Sequence, residues 1–415
     1  MSALRAATFP AAAVRERAQA GTACVFPDLA EYGQAVFGAD PARLAEQAAD
    51  SLDRFRLVPP VFVPGRLAKL IELAREPTYR DVGIESAVGG FRSAMPVYVS
   101  AFGSTRTASG DLGLAASRQA GLLGIPLVIG ENVMPVNGYG RLGGDAGLTL
   151  VGRIRAYADH VPDGIGGVVV QQSTEDADAE VWNCVYSDPN VQHLLESGRL
   201  GFELKVGQGA KPGLGGMTVL TEAAAERLAG AFAMDRLFGG ATDTVLRCAS
   251  PGTFTEEILR QQVRLMRNNF PRARVWVKLP PARDVRAAAR VAWEAGADAV
   301  TVDGAEGGTG WAPLAFLQHV GLPLGECLRR IGEHQSCLLV SGRVWEGARA
   351  AKCLALGASA VGLGRAALIA LDADARTGLV NLAECLALEL RMIASALGKY
   401  HVAELSREDV WLPGE

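Results

Sequence analysis

The chain changes character at about Met95, where short runs rich in β-branched residues begin to alternate with amphipathic helical patterns. This alternation is typical of parallel strands joined by crossover helices. Nine runs are long and apolar enough to be strands, one more than an eight-stranded barrel needs. They are residues 95–101, 126–131, 167–172, 201–206, 244–249, 274–279, 299–304, 337–342 and 360–364.

A (β/α)8 TIM barrel fits this alternation best. A doubly wound open sheet is the competing architecture, but its dinucleotide fingerprint G-x-G-x-x-G does not follow the first strand. The run 244–249 is followed by Ser250-Pro-Gly252 and is predicted to lie outside the barrel. Helices are predicted from Thr255 to Asn269, Arg283 to Gly296 and Val344 to Gly357, and two of them end on glycine, a common C-terminal stop.

The barrel is predicted to occupy residues 91–375, with an extension on each side. Residues 1–90 are rich in alanine and carry no repeating strand-helix unit, so they are predicted to form an N-terminal helical cap. Residues 376–415 are predicted to form a C-terminal helical extension. Within it, Leu382 to Leu397 has the pattern of an amphipathic helix that covers the barrel or a neighbouring subunit, and a homo-oligomer is expected.

Composition excludes several classes of function. The 415 residues are 49% hydrophobic, and 41 Lys and Arg against 45 Asp and Glu give a net charge of −4 without a basic run, so nucleic acid is not expected as a partner. No apolar stretch approaches the roughly 20 residues that span a bilayer, and Met1 to Ala20 lacks the apolar core of a secretory signal, so we expect a cytoplasmic protein. Seven isolated cysteines and five isolated histidines predict no metal site.

One glycine-rich loop carries much of the polar chemistry. It reads Lys205-Val-Gly-Gln-Gly-Ala-Lys-Pro-Gly-Leu-Gly-Gly216, and it lies between the alternating run Gly201 to Val206 and the helical pattern Thr221 to Phe232. Barrel enzymes build their active sites at the carboxyl ends of strands. Because glycine leaves the backbone unobstructed, an anionic ligand can approach the main-chain N–H groups of this loop.

The last two predicted strands deliver glycine immediately before a helix. They read Leu338-Leu-Val-Ser-Gly-Arg343 and Ala360-Val-Gly-Leu-Gly-Arg365. In barrels, the loops after the seventh and eighth strands and the start of the next helix offer N–H groups to a phosphate monoester. The candidate cofactor contacts are Ser341, Gly342, Arg343, Gly362, Gly364 and Arg365.

Three other strand ends present groups suited to a flat ring. The segment Val300 to Gly310 is rich in glycine, which leaves its backbone accessible to a ring; the predicted contacts are Gly308, Thr309 and Gly310. At the end of the first strand, Ser100, Ala101 and Gly103 offer small groups that can pack against the face of a cofactor. Lys278 ends the run Val275 to Leu279, where a cation can stabilise negative charge that develops at the N1/C2 carbonyl region of a reduced flavin.

These motifs together resemble the FMN-binding synthase domain of glutamate synthases. The match is closest in Lys205 to Gly216, which is similar to the family string K-x-x-Q-G-A-K-P-G-x-G-G. The similarity covers roughly residues 95–372. It continues in Val277-Lys278, in Asp303-Gly304 and Gly307 to Gly310 (G-H-D-G-G-T-G), in Ser341-Gly342, and in Gly362 to Ile369 (G-x-G-T-x-A-L-I-A).

The resemblance implies an FMN cofactor and an amino or 2-oxo acid substrate. The expected reaction is hydride exchange between flavin N5 and the Cα of an amino or imino acid. By matched position, Gln171 or Gln172 corresponds to the glutamine of the family that contacts the flavin. Lys211 and Gln208 resemble its substrate-carboxylate contacts, Glu131 resembles its T-G-E element, and Arg227 falls near its second carboxylate-binding arginine.

The chain also departs from the family pattern. Where the family has three closely spaced cysteines for an iron-sulfur cluster, this chain reads Ala370 to Gly378 without cysteine, so no cluster is expected. It begins Met1-Ser2-Ala3, and no glutaminase nucleophile is expected. Arg365 stands where the family has threonine, and Ala305-Glu306 replace the segment around its histidine.

These departures leave the electron and ammonia donors open. Electrons are expected to come from NAD(P)H or a separate donor protein, or to pass to oxygen. One alternative is a flavin-dependent isomerase or dehydrogenase of a specialised biosynthetic pathway. Another is a non-catalytic or partner-dependent subunit of a multi-chain synthase.

Overall fold

Eight parallel strands close into a barrel in the computed structural model, which describes residues 9–26, 50–102, 106–107, 110–130, 150–173, 180–207, 217–230, 232–236, 244–248, 252–308 and 312–414. The eighth strand pairs with the first through Val361 and Val97, which completes the cylinder. The predicted (β/α)8 fold is therefore confirmed. The strands are β1 Val97–Phe102, β2 Leu127–Ile129, β3 Val168–Gln172, β4 Leu200–Lys205, β5 Arg274–Leu279, β6 Ala299–Asp303, β7 Leu338–Ser341 and β8 Ala360–Leu363.

The ninth predicted strand lies outside the barrel, as expected. Thr244–Cys248 is the central strand of an antiparallel sheet and pairs with Met217–Thr221 and Ala233–Asp235. This sheet is inserted between β4 and the next barrel helix. Three further two-stranded pairs join Arg56–Leu57 to Val410–Trp411, Ser86–Val88 to Phe91–Ser93, and Arg106–Thr107 to Gly110–Asp111.

A helix follows each barrel strand, as a crossover connection between parallel strands requires. The helices predicted from residues 255, 283 and 344 are present and begin one, two and three residues later. Thr255 is the N-cap of its helix, and its Oγ1 accepts a hydrogen bond from Ile258 N at 3.2 Å. The barrel helices are α1 Leu112–Leu123, α2 Leu150–Ala158, α3 Val181–Ser187, α4 Glu256–Asn269, α5 Val285–Glu294, α6 Leu324–Ile331, α7 Gly347–Ala355 and α8 Arg365–Ala373; additional short helices are Gln192–Glu196, Glu222–Leu228 and Leu314–His319.

The amino-terminal half of the barrel interior is filled by apolar side chains. Trp276 of β5 is fully buried there, donates from Nε1 to the Gly89 carbonyl at 2.8 Å, and meets Tyr98 of β1 edge to face at 6.2 Å. The hairpin at residues 86–93 contributes Val88 and Phe91 to the same cluster. Because this half is closed, open space for a ligand has to lie toward the carboxyl ends of the strands.

The segments before and after the barrel pack on its outside. The C-terminal helix predicted at 382–397 runs Gly378–Ala396 and packs against α1, α7 and α8. Arg17 donates to its Glu389 at 2.6 and 3.0 Å. The division at residues 90 and 375 stays a prediction. The remaining elements are the helices Ala11–Ala20, Ser51–Arg54 and Pro64–Leu73 and the 3₁₀ turns Gly21–Val25, Tyr79–Asp81, Val402–Glu404 and Arg407–Asp409.

A buried ion cluster, formed by Asp50, Asp53, Arg343 and Arg349, joins the N-terminal segment to the β7–α7 unit. Arg349 is fully buried, donates to Asp50 at 2.7 and 3.0 Å and also contacts Asp53. Arg343 donates to Asp53 at 2.6 Å and to Asp50 at 3.3 Å. Burial acts to raise the pKa of Asp50, but the hydrogen bonds and charges of the two arginines outweigh it and leave this pKa below its ordinary value.

Two kinds of feature are absent from the described residues. None of the helices there is long and apolar enough to cross a lipid bilayer. Within the same residues, no group of three or more His, Cys, Asp or Glu side chains is arranged to hold a metal ion.

Candidate active site

Polar side chains line the barrel interior above the apolar cluster. Side chains two residues apart in a strand point to the same face, so Lys278 and Thr301 share the inner face with Trp276 and Ala299 below them. Contacts between the non-adjacent strands β4 and β6 confirm that this face points inward. We call the set the interior polar cluster: Tyr98, Ser100, Gln171, Glu203, Lys278, Thr301, Asp303 and Ser341, all buried.

Glu203 lies at the centre of the interior polar cluster. Its carboxyl group accepts hydrogen bonds from Gln171 Nε2 at 2.5 Å and from Thr301 Oγ1 at 2.8 Å. The side chain is 1% exposed. Burial raises the pKa of Glu203, and the nearby Lys278 charge only partly opposes the shift. Glu203 can therefore hold a proton at a higher pH than an ordinary glutamate.

Lys278 and Asp303 form an ion pair in the same layer. Lys278 Nζ lies 2.8 Å from Asp303 Oδ2, and both side chains are less than a tenth exposed. Ser341 Oγ donates to the other oxygen of Asp303. The carboxylate of Asp303 is thus held from two sides, by β5 and by β7.

Two hydroxyl groups of the cluster are buried without a hydrogen-bond partner in the described part of the chain, namely Tyr98 Oη and Ser100 Oγ. Ser100 and Ser341 lie close to the Tyr98 hydroxyl without the geometry of a hydrogen bond. Burial, with the Asp303 and Glu203 charges, raises the pKa of Tyr98 well above its ordinary value, so this phenol stays protonated. Unpaired buried hydroxyls are costly, and both are suited to hydrogen bonding with a polar ligand.

Glycine opens the barrel mouth beside these hydroxyls. A Cβ on Gly362 would lie 2.1 Å from Ser100 Oγ and 2.7 Å from Tyr98 Oη, so only glycine fits there. At the end of β7, Gly342 lies against the Gly304 backbone, and Gly304 N donates to the Ser341 carbonyl at 2.7 Å. Gly364 is the N-cap of α8 and gives that helix no side-chain cap. The free N–H groups of the first turn of α8 therefore fit a phosphate.

Both predicted arginines are near this end of the barrel and already have protein partners. The Arg343 guanidinium is held in the buried ion cluster, with the residue at φ +55°. Arg365 donates to the Glu306 carbonyl and lies over the Phe9 ring at 4.8 Å. Burial lowers the pKa of Arg365, and the nearby Arg343 charge lowers it further. Arg343 already has carboxylates beside it, whereas the half-buried Arg365 contacts a carbonyl oxygen and would be stabilised by a nearby anion.

The adjacent glutamines of β3 lie on opposite faces of the strand. Gln171 points into the barrel, where it binds Glu203. Gln172 instead lines an outer cleft of about 430 Å³, together with Leu204, Trp182 and Met266. The geometry thus brings Gln171, and not Gln172, into the interior polar cluster.

The other predicted site residues fall into three groups. Ala101 is half-buried and packs against the inner apolar cluster, while Gly308 lies beside the Arg365 stem, 3.1 Å from Arg365 Cγ to a Cβ built on the glycine. Arg227 is exposed on the helix Glu222–Leu228 of the inserted segment, and no described contact joins it to the cluster. Outside the described residues lie Gly103, Glu131, Gln208, Lys211, Thr309 and Gly310.

Four members of the interior polar cluster were not predicted as site residues: Tyr98, Glu203, Thr301 and Asp303. The alternation of Phe202 and Leu204 with Glu203 and Lys205 is visible in the sequence and indicates two different faces of β4. In a barrel the polar face can only be the interior, because the other face packs on helices. That argument would have identified Glu203.

The chain is similar in sequence to proteins of glutamate synthesis. Residues 137–387 match the family described as "Conserved region in glutamate synthase". The chain is 33% identical over 186 residues to the archaeal-type glutamate synthase [NADPH] of Dehalococcoides mccartyi, in an alignment that covers 43% of this chain and 36% of that protein. It is 38% identical over 178 residues to a glutamate synthase large subunit-like protein of Rhizobium meliloti, covering 41% and 39%. The matched part thus spans little more than a third of each relative.

Solved structures with the same fold are more distant in sequence. An active chimera of (S)-mandelate dehydrogenase superposes with a TM-score of 0.56 at 19% identity, covering 97% of this chain and 99% of that one. A mutant flavocytochrome b2 with pyruvate bound gives 0.55 at 18% identity, covering 91% and 80%. At this level of identity the likeness supports the barrel fold.

Proposed function

Because the chain belongs to the family of the conserved region in glutamate synthase, we propose that it is an FMN-dependent oxidoreductase acting on amino or 2-oxo acids. The observation that carries the proposal is the barrel mouth itself. There the glycine-lined ends of β7 and β8, the uncapped start of α8 and two unpaired buried hydroxyls meet in one place. Such a site fits a flat ring with a phosphate tail.

The described residues divide into those suited to the phosphate and those suited to the ring. The N–H groups after Gly342 and Gly364, assisted by Arg343 and Arg365, would hold the phosphate. Ser100, Tyr98 and Gln171 would hydrogen-bond to polar ring edges, and Lys278 would bind the N1/C2 carbonyl edge. When bound, FMN supplies a two-electron hydride donor and acceptor at N5.

Substrate binding is assigned to the glycine-rich loop and its neighbours. Lys211 and Gln208, with Arg227, bind a substrate carboxylate through charge-assisted hydrogen bonds, and Glu131 binds the substrate nitrogen. Their task is to orient the substrate, and orientation can lower the free-energy barrier of a bimolecular reaction by about 7–11 kcal/mol. Electrons come from NAD(P)H or a separate donor protein.

The first test is the visible spectrum of the purified protein, before and after incubation with FMN, with mass identification of the released flavin. A yellow protein with bound FMN is expected. A colourless protein that takes up no added FMN contradicts the proposal.

The second test follows hydride transfer from the flavin in the absence of NAD(P)H and of a donor protein. Bound FMN is reduced anaerobically with dithionite, and 2-oxo acids with ammonium are added in turn. Return of the oxidised spectrum is expected for at least one pair, whereas bleaching of oxidised FMN by an amino acid alone would indicate a dehydrogenase. A flavin that responds to neither would indicate a partner-dependent or non-catalytic subunit.

A pair of lysine variants locates the substrate site. Lys211→Ala should retain the flavin and lose most of the turnover with the substrate found above. Lys69→Ala is the control, because Lys69 binds Glu72 on a surface helix. Equal turnover in the two variants would show that Lys211 does not bind the carboxylate.

A further inference from the structure

The Lys278–Asp303 ion pair lies beneath the barrel mouth and contributes to the electrostatic potential there. The two side chains come from the adjacent strands β5 and β6, meet at 2.8 Å and are 9% and 7% exposed. Ser341 fixes the second oxygen of Asp303 from β7. The carboxylate is therefore a built part of the site and not a mobile surface group.

An ion pair at this distance alters the electrostatic potential at a ligand above it. A buried ammonium alone presents a full positive charge, and electrostatic interactions in such surroundings are much stronger than in water. With a carboxylate in contact, the same ammonium presents little more than a dipole. Removal of the carboxylate takes this offset away and increases the positive potential at a ligand above the ammonium.

Glu203 is the other buried carboxyl group near Lys278, and it is held differently. Its two oxygens accept hydrogen bonds from Gln171 and Thr301. Burial raises its pKa, so it carries its negative charge over a narrower pH range than an ordinary glutamate. Asp303 is therefore the main counter-ion of Lys278 in the described part of the barrel.

We propose that Asp303 is a positioning residue that offsets the charge of Lys278 and thereby lowers the reduction potential of the bound flavin. The proposal rests on the proposed function, because it assigns Lys278 to the ring. A lower potential favours hydride transfer from the flavin to an imino acid over the reverse reaction.

In the favoured step, the Cα of the imino acid would receive a hydride, which is two electrons with one proton. A new C–H bond would form as the N5–H bond of the reduced flavin breaks. The π electrons of the C=N bond move to nitrogen, which takes a proton from solvent and becomes an amine. The flavin is oxidised in this step and is reduced again by NAD(P)H or by the donor protein.

The test is the midpoint potential of FMN bound to the full-length protein, measured by anaerobic reductive titration against a reference dye. Asp303→Asn should favour two-electron reduction about tenfold, a rise of about 30 mV. Lys278→Met should disfavour two-electron reduction of the bound FMN. In the double variant one negative and one positive charge are removed, and their effects nearly cancel. The equilibrium constant for reduction should therefore lie within about threefold of the wild-type value. The wild-type potential should lie at or below that of free FMN in the same cell.

Asp298→Asn is the matched control. Asp298 precedes β6, about 17 Å along the strand from Asp303, and pairs with Arg267 at 2.8 Å. Its loss of charge should leave the potential unchanged. If Asp303→Asn does not fold, Asp303→Ser removes the same charge from a smaller side chain, and the same rise is expected.

The outcomes separate this inference from the function on which it rests. A protein that binds no FMN refutes the proposed function. A protein that binds FMN with a potential unchanged or lowered by Asp303→Asn and Asp303→Ser refutes only the role of Asp303. A wild-type potential well above that of free FMN would refute it as well.

Discussion

Replacement of Arg349 by methionine tests whether the buried ion cluster anchors the N-terminal segment. Methionine keeps much of the apolar stem and removes the guanidinium. In the folded protein, Asp50 would lose both of its contacts to Arg349, and Asp53 would lose one. The two carboxylates have side chains only 3% and 15% exposed, so water cannot replace the missing charge.

The size of the effect follows from which contacts survive. Breaking a buried ion pair by removing one partner costs about 3–5 kcal/mol. Arg343 still reaches Asp53 at 2.6 Å and Asp50 at 3.3 Å, which places the expected loss at the lower end, about 3 kcal/mol. The entropy of unfolding is about 2 cal/mol/K per residue, so for 415 residues the Tm should fall by about 4 °C.

The assay is thermal unfolding by circular dichroism at neutral pH and again at lower pH. Arg349 holds the pKa of Asp50 below its ordinary value, so this stabilisation is present above the unfolded pKa near 4 and is lost as the pH falls through the lower folded value. The difference in Tm between the wild type and the variant should therefore become smaller from pH 7 toward pH 3. Arg290→Met, which breaks only an exposed pair with Glu294, is the control and should not change the Tm. An Arg349→Met protein as stable as the wild type would refute the reasoning.

Two further variants test the barrel interior. Gly362→Ala forces a methyl group against Ser100 and Tyr98; it should cost about 1–3 kcal/mol in thermal or urea unfolding and weaken FMN retention. Gly230→Ala is the control and should do neither, because a Cβ there meets no described atom within 4 Å apart from its chain neighbours. Equal stability and retention in the two variants would show that the barrel mouth tolerates a side chain at Gly362. Because burial raises the pKa of Glu203, its neutral form stabilises the fold below the unfolded pKa near 4.3 and this contribution is lost as pH rises through the folded pKa. Glu203→Gln should therefore gain stability relative to the wild type as the pH rises above about 4 in the same unfolding assay. A pH-independent difference in stability would contradict a raised pKa.

The architecture was largely readable from the sequence because barrel strands are locally encoded. Eight apolar runs separated by amphipathic helices specify the alternation, and the breaker Ser250-Pro-Gly252 marks the run that does not belong. Three helices were predicted to begin one to three residues too early. In one of them Thr255 carries the helical pattern but is the N-cap residue, while the predicted end at Asn269 is correct. The ion cluster around Arg349 could not be foreseen, because its partners lie about 300 residues apart.

Part of the candidate site could also be predicted from local sequence patterns. Ser100, Gln171, Lys278, Ser341 and Gly362 stand at strand ends, and closure of the barrel brings strand ends together. The pairing of Lys278 with Asp303 depends on the parallel register of β5 and β6, which fixes the height of each side chain in the barrel. A register of this kind is set by tertiary packing, and single-strand patterns do not report it.

The long-range ion cluster also has a consequence for biosynthesis. At about 5–20 residues per second, roughly 15–60 s separate the emergence of Asp50 from that of Arg349, 299 positions later. During that interval both carboxylates lack their counter-charges, and β1 lacks its neighbour β8. The nascent polypeptide is consequently expected to expose an open sheet edge until β8 has been synthesised. The N-terminal segment can complete its ion cluster only after the seventh strand–helix unit has emerged.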